Sequence, residues 1–256
     1  LTIALAPQVL TTAGITVLSV LLSDGSKNVS TFDILLQVQP GIHSRTTLSD
    51  TYVNVSSIDV SSLEDIGAGI MGGKIHSIVL LGDSITDGAG GSGYNGSYSG
   101  NISTNTEGYC WANAFKKFVE QRYGIPVQNK GIYGTVMSDQ KNEALKFITQ
   151  NDFVIWLLGT NDRWGADSYK ANLRTHLDAI KERCAGMLVI SNIPATPGNE
   201  ATTPVTMQKM DEITMSELAG SVPHFSMYQA FIQHCQQQNI PLDDCFVDHC
   251  HPNDLG

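Results

Sequence analysis

The sequence predicts an α/β protein: a parallel sheet covered by helices on both faces, preceded by a small β-rich unit. Two observations carry the larger part. Segments 75–81 and 153–158 are almost wholly apolar and of strand length, as strands buried on both faces are. Stretches of helical periodicity separate these and the other strand candidates, the alternation that builds parallel sheets. The smaller part rests on apolar, partly β-branched stretches within residues 1–40.

In chain order, 1–6 and 15–22 are apolar, but Pro7, Gln8, Thr11, Thr12 and Gly14 interrupt them and no basic residue precedes them. They therefore read as strands, not as a signal peptide or membrane span. Residues 23–28 make a turn, 30–38 a further strand, and Pro40-Gly41 closes the unit at 1–40. So small a core needs support from a neighbour, another chain or further sequence. Residues 41–74, rich in Ser, Thr, Asp and Gly, read as a linker with one short strand at 52–55. From 75 to 256, strands are expected at 75–81, 127–129, 153–158, 187–191 and 224–227, and helices at 109–123, 138–149, 168–184, 207–219 and 228–238. Such sheets bind ligands beyond the carboxyl ends of their strands.

Composition narrows the function classes. The 256 residues are 41% hydrophobic, enough for a real core, and carry a net charge of −10. No lysine or arginine cluster exceeds two neighbours, which argues against nucleic acid as a partner. Five cysteines, at 110, 184, 235, 245 and 250, leave at least one thiol unpaired within the chain.

The chemistry centres on Gly82-Asp83-Ser84-Ile85-Thr86, where the strand at 75–81 gives way to a loop. A serine there is rigidly supported yet accessible. Far downstream, Asp248 and His251 stand three residues apart, a spacing that puts both side chains on one side of a helical turn. A serine hydroxyl needs a histidine to take its proton, and that histidine works best with a carboxylate behind it. His249 competes with His251 for this role. Between them, Asn129–Gly134 and Gly159-Thr160-Asn161-Asp162 offer a glycine N–H and an asparagine amide, donors suited to an oxyanion.

Two rival readings arise from the same stretches. Gly88-Ala-Gly90-Gly-Ser-Gly93 fits the dinucleotide fingerprint but starts several residues after the strand, and 94–100 is not a helix sequence. Residues 87–108 read instead as a long mobile loop beside Ser84, with Tyr94 and Tyr98 facing substrate. Cys245, Asp248, His249, Cys250 and His251 are all zinc-ligand types, but adjacent residues point apart and no second Cys/His pair has zinc-finger spacing, so no metal is expected.

Taken together, Gly82-Asp83-Ser84, Gly134, Gly159-Thr160-Asn161-Asp162 and Asp248-x-x-His251-Pro252, in that order, make residues 75–256 resemble the SGNH/GDSL hydrolase family. Ile85 stands where members often carry leucine, and Thr86 takes the place of the second glycine of a lipase elbow. The resemblance implies a three-layer, flavodoxin-like fold with a five-stranded parallel sheet of order 2-1-3-4-5. It implies an esterase or lipase without cofactor, with Ser84 as nucleophile, His251 as base and Asp248 orienting it, and with Ser84, Gly134 and Asn161 holding the oxyanion. Asp83, Tyr133, Arg163 and Trp164 are expected to contact substrate. The polar surroundings and the lack of an apolar lid helix favour short acyl groups, acetyl above all, on a carbohydrate. The alternatives are a lipase or thioesterase on the same scaffold, and a catalytically silent, glycan-binding virion protein. The β unit at its Ser30-Thr31-Phe32 and following apolar positions resembles phage baseplate proteins. That likeness implies a tail-borne, extracellular or virion-associated enzyme that acts on host polysaccharide and contacts other virion proteins.

Overall fold

The computed structural model describes residues 14–23, 28–38, 73–96 and 100–256. The chain divides into two units, Leu1–Tyr52 and Val53–Gly256. In the first, β1 (Gly14–Ser23) and β2 (Asn28–Val38) pair antiparallel, in register from Gly14 opposite Val38 to Leu22 opposite Ser30. The strand expected at 1–6, the middle of the turn, the linker and the short strand at 52–55 lie outside the described residues.

The second unit contains β3 (Ser77–Gly82), β4 (Val127–Gly131), β5 (Asp152–Leu158), β6 (Gly186–Ser191) and β7 (His224–Phe225). They pair in parallel in the order β4-β3-β5-β6-β7, which is 2-1-3-4-5 within the unit. Every residue of β3 and β5 is buried, so these strands read as continuous apolar runs.

The helices are α1 (Ser84–Asp87), α2 (Trp111–Tyr123), α3 (Met137–Ala144), α4 (Ala166–Lys181), α5 (Pro197–Glu200), α6 (Met207–Leu218) and α7 (Met227–Gln238). Alternate strand residues feed two cores. Val79, Leu81, Val154, Trp156 and Leu158 pack against α3, α4 and α6 through Met137, Leu173, Leu177 and Met210. Ile78, Leu80, Phe153, Ile155 and Leu157 pack against α1, α2 and α7 through Ile85, Val119, Phe231 and Cys235. The result is three layers, helix on sheet on helix.

Elements a single turn long escape sequence periodicity, among them α1, α5 and 3₁₀ turns at Asn161–Gly165 and Leu242–Cys245; α1 and the turn at Asn161 matter most here. Both follow directly from central strands β3 and β5, and both carry site residues. Because β4 lies on one side of β3 and β5 on the other, the connections leaving these strands diverge and open a crevice at their carboxyl ends.

Candidate active site

Ser84 stands at the first position of α1, immediately after the end of β3. Asp83 caps this helix, its carboxylate accepting the Ile85 N–H at 2.8 Å. The turn is tight: a Cβ on Gly82 would lie 2.1 Å from the Thr86 hydroxyl, so only glycine lets β3 close onto α1. With the nucleophile fixed from below, its hydroxyl points at His251, whose Nε2 lies 2.8 Å from Oγ. His251 Nδ1 is 2.7 Å from Asp248 Oδ2, which selects the tautomer that leaves Nε2 to accept the serine proton.

The acid and base do not sit on a helical turn. Asp248 Oδ1 instead accepts the backbone N–H groups of His251 at 2.8 Å and Cys250 at 3.2 Å, a side-chain turn that competes with helix formation. His249 takes a left-handed conformation (φ 71°), and a bridge between Phe246 and Pro252 closes the loop. Of the two histidines, His251 meets Ser84, whereas His249 is exposed and offers its carbonyl to Thr196 N–H. Burial alone would raise the Asp248 carboxyl, but the N–H, ring and charge of His251 and the Cys250 N–H bring it below its ordinary value. Asp248 therefore stays ionised at neutral pH, and the 54% exposure of its side chain favours the same form. Tyr133 stacks on the His251 ring, centroids 5.5 Å apart and planes 18° apart. On another side, a Cβ at Gly90 would meet the Pro252 carbonyl at 2.4 Å and His251 Cβ at 3.0 Å, so the 88–93 turn backs the histidine closely. Gly88 ends α1 and Gly93 opens no helix, so this glycine run supports the site and is no dinucleotide cradle.

The donors expected for an oxyanion lie together. Asn161 Nδ2 gives one hydrogen to the Thr135 carbonyl at 2.9 Å and keeps its second. Thr135 follows Gly134, and among the described residues no protein acceptor takes the Gly134 or Ser84 backbone N–H. Behind them runs a relay that the sequence reading misses. Trp156 Nε1 donates to Gln140 Oε1 at 2.7 Å, and Gln140 Nε2 donates to the same Thr135 carbonyl at 3.1 Å. The signal was present: Gln140 sits between Met137 and Ala144 on the buried stripe of α3, a polar side chain at an apolar position.

Of the residues expected at substrate, Asp83 is 1% exposed and serves as the helix cap, and Arg163 is 4% exposed. Arg163 donates to the Thr160 carbonyl and to Asn199 Oδ1, both at 2.8 Å, so it ties the oxyanion segment to α5. Tyr133 packs on the base, and Trp164 lies open on the surface. The loop at 88–110 is tied down rather than loose where described. The Tyr94 hydroxyl donates to Asp87, Asn105 Nδ2 to the Asp87 carbonyl at 2.7 Å, and Ser92 N–H to Asp254 at 2.7 Å. Tyr98 lies outside the described residues.

All five cysteines are free thiols, and burial pushes Cys250, beside the base, up to about 11, which keeps it protonated and no rival to Ser84. Among the described residues no group of three His, Cys, Asp or Glu side chains is arranged to hold a metal ion. No helix among them is long and apolar enough to cross a membrane.

The sequence model of the GDSL-like Lipase/Acylhydrolase family matches residues 80–256, which span all these groups. The chain belongs to this family. It is thereby a serine hydrolase, and the two side-chain contacts of His251 put the expected nucleophile and base in reach of each other. Among solved structures it is similar to an acetylxylan esterase of Geobacillus stearothermophilus, at 21% identity and a TM-score of 0.54, covering 71% of this chain and 90% of that one. A variant from the same organism, described as an acetyl-xylooligosaccharide esterase, aligns at 20% identity and a TM-score of 0.52, over 70% and 89%. An α/β hydrolase from the metagenome of Lake Arreo, Spain, aligns at 18% identity and a TM-score of 0.54, over 69% and 87%. These likenesses extend the agreement in fold. A search among curated proteins found no match. The family match begins at residue 80 and so gives no support to the phage-like reading of the β unit.

Asp162, next to Asn161, carries a test of how this segment is built. Burial pushes its carboxyl from 3.8 up to about 7, with Asp83 adding to the rise and the Met137 N–H opposing it. Between these two values the unfolded chain has lost the proton that the folded one keeps, so stability falls as pH rises, by at most about 4 kcal/mol, and levels off above 7. Asp162→Asn can still accept from Met137 but does not titrate. Urea unfolding at pH 4.5 and pH 8 should show a smaller loss across this interval in the variant than in the wild type; equal losses would contradict the assignment.

Proposed function

We propose that the protein is a serine esterase that removes short acyl groups, acetyl first, from carbohydrate. The observation that carries the reading is the hydrogen-bonded chain Ser84–His251–Asp248 at the mouth of the β3–β5 crevice. His251 takes the Ser84 proton as Oγ attacks the ester carbonyl, and Asp248 stabilises the resulting imidazolium. The Ser84 and Gly134 N–H groups and the second Asn161 amide hydrogen hold the oxyanion. The intermediate collapses as His251 protonates the departing sugar hydroxyl, leaving an acyl-serine. Water, deprotonated by His251, then releases the carboxylic acid and restores Ser84.

The acetyl preference is supported by the polar surroundings of Ser84 and by what the Geobacillus neighbours are described as hydrolysing. A second reading, hydrolysis of longer acyl chains, has its own observation: a largely apolar cavity of about 260 Å³ beside α1, with Ile85, Leu157, Ile193, Met227 and Phe231 in its wall. Turnover of p-nitrophenyl esters from acetyl to long acyl chains separates the two. The acetyl reading expects kcat/KM to fall steeply beyond about four carbons, because a longer chain no longer fits the acyl space and gains none of the roughly 0.8 kcal/mol per CH₂ that burial would supply. A rise with chain length would favour the apolar cavity.

A further inference from the structure

Beside the oxyanion donors a second cleft opens, of about 160 Å³, between the start of α3 and the first turns of α4. Asn161 lines it. Trp164, three residues on, lies at its edge with 67% of its surface exposed, an unusual cost for so large an apolar ring. Ser168, Asn172 and His176 follow at intervals of four, on one face of α4, and Ser138 faces them from α3. Asn172 gives its amide hydrogen to the Ser168 carbonyl, which turns its side chain into a fixed acceptor.

The lining contains no lysine or arginine, so nothing in it recognises an anion, and its one acid, Asp162, is buried with its carboxyl accepting the Met137 N–H. Burial, with Lys141 nearby, holds His176 below its ordinary value and therefore neutral at pH 7. What remains is an aromatic face with a row of uncharged hydroxyl and amide groups beside it. A pyranose ring has the complementary surface, with C–H groups on its face and hydroxyls around its rim.

We infer that this cleft is the sugar subsite: Trp164 stacks on the ring that carries or adjoins the acyl ester, and the α4 polar row binds its hydroxyls. The inference rests on the carbohydrate-ester reading above and assigns it a place. Asn161 belongs both to the cleft lining and to the oxyanion donors, so a ring seated in the cleft lies beside one of the groups that would hold its ester. Its small volume admits one ring and leaves the rest of an oligosaccharide in solvent, which suits an enzyme acting on substituents rather than on the backbone of a glycan.

The test compares kcat/KM on acetylated xylooligosaccharides with kcat/KM on p-nitrophenyl acetate, which has no sugar. Trp164→Ala should lower the ratio of the two about tenfold, through KM on the oligosaccharide, and Trp164→Phe should restore most of it. Independently of turnover, adding the same oligosaccharide to Ser84→Ala should quench tryptophan fluorescence, and Trp164→Phe in that background should abolish the quench. An unchanged ratio in Trp164→Ala, with the wild type active on the oligosaccharide, would overturn the subsite and leave the carbohydrate reading standing. A wild type that hydrolyses p-nitrophenyl acetate but no acetylated sugar would overturn the carbohydrate reading, and the subsite with it.

Discussion

Ser84→Ala is expected to lower kcat on p-nitrophenyl acetate by roughly 10⁴–10⁶ while leaving the melting temperature within a degree or two of the wild type. The two halves of this result come from different atoms. Oγ bonds only to His251, so its removal deletes the nucleophile without orphaning a buried partner. The fold at this point depends on Asp83, which caps α1 through Ile85 N–H, and alanine suits the first turn of a helix. Turnover within tenfold of the wild type would remove Ser84 from the mechanism. A large drop in melting temperature would instead mean that Ser84 supports the turn.

His251→Ala is expected to cost nearly as much, and the double variant with Ser84→Ala no more than either alone. Nucleophile and base act as one unit, so removing the second part of a broken unit changes little. The residual rate would come from the oxyanion donors, which Asn161, Thr135 and Gln140 hold without help from His251. Losses that multiply in the double variant would show that the two residues act independently, against the 2.8 Å contact between them. His251→Ala also removes the ring on which Tyr133 stacks, so a small decrease in stability is expected alongside the kinetic effect.

What could be read from the sequence followed from whether the cause was local. The strand β5 was legible because every one of its residues is buried and a continuous apolar run records that directly. The four blocks around Ser84, Gly134, Asn161 and His251 were legible as chemistry, and the structure places the first three at neighbouring strand ends and brings the His251 loop to Ser84. The geometry of Asp248 and His251 was not. Their spacing fits a helical turn equally well, and only the Asp248 side-chain bonds and the left-handed His249 reveal a loop. Arg163 has the chemistry of a substrate ligand, and its burial is decided by Asn199, 36 residues away, which no local pattern encodes. Gln140 stands out locally only as a polar residue on the apolar stripe of α3, and its role shows when Trp156 and Thr135 are seen on either side of it.

The central claim is that His251 makes Ser84 a nucleophile, and covalent trapping tests it most directly. The protein would be treated with a fluorophosphonate and digested, and the modified peptide identified by mass spectrometry in the wild type, Ser84→Ala and His251→Ala. A single adduct on Ser84 is expected in the wild type, none in Ser84→Ala, and labelling slowed by at least a hundredfold in His251→Ala, as for a serine that has lost its base. Labelling of another residue, or of Ser84 at the same rate without His251, would contradict the account.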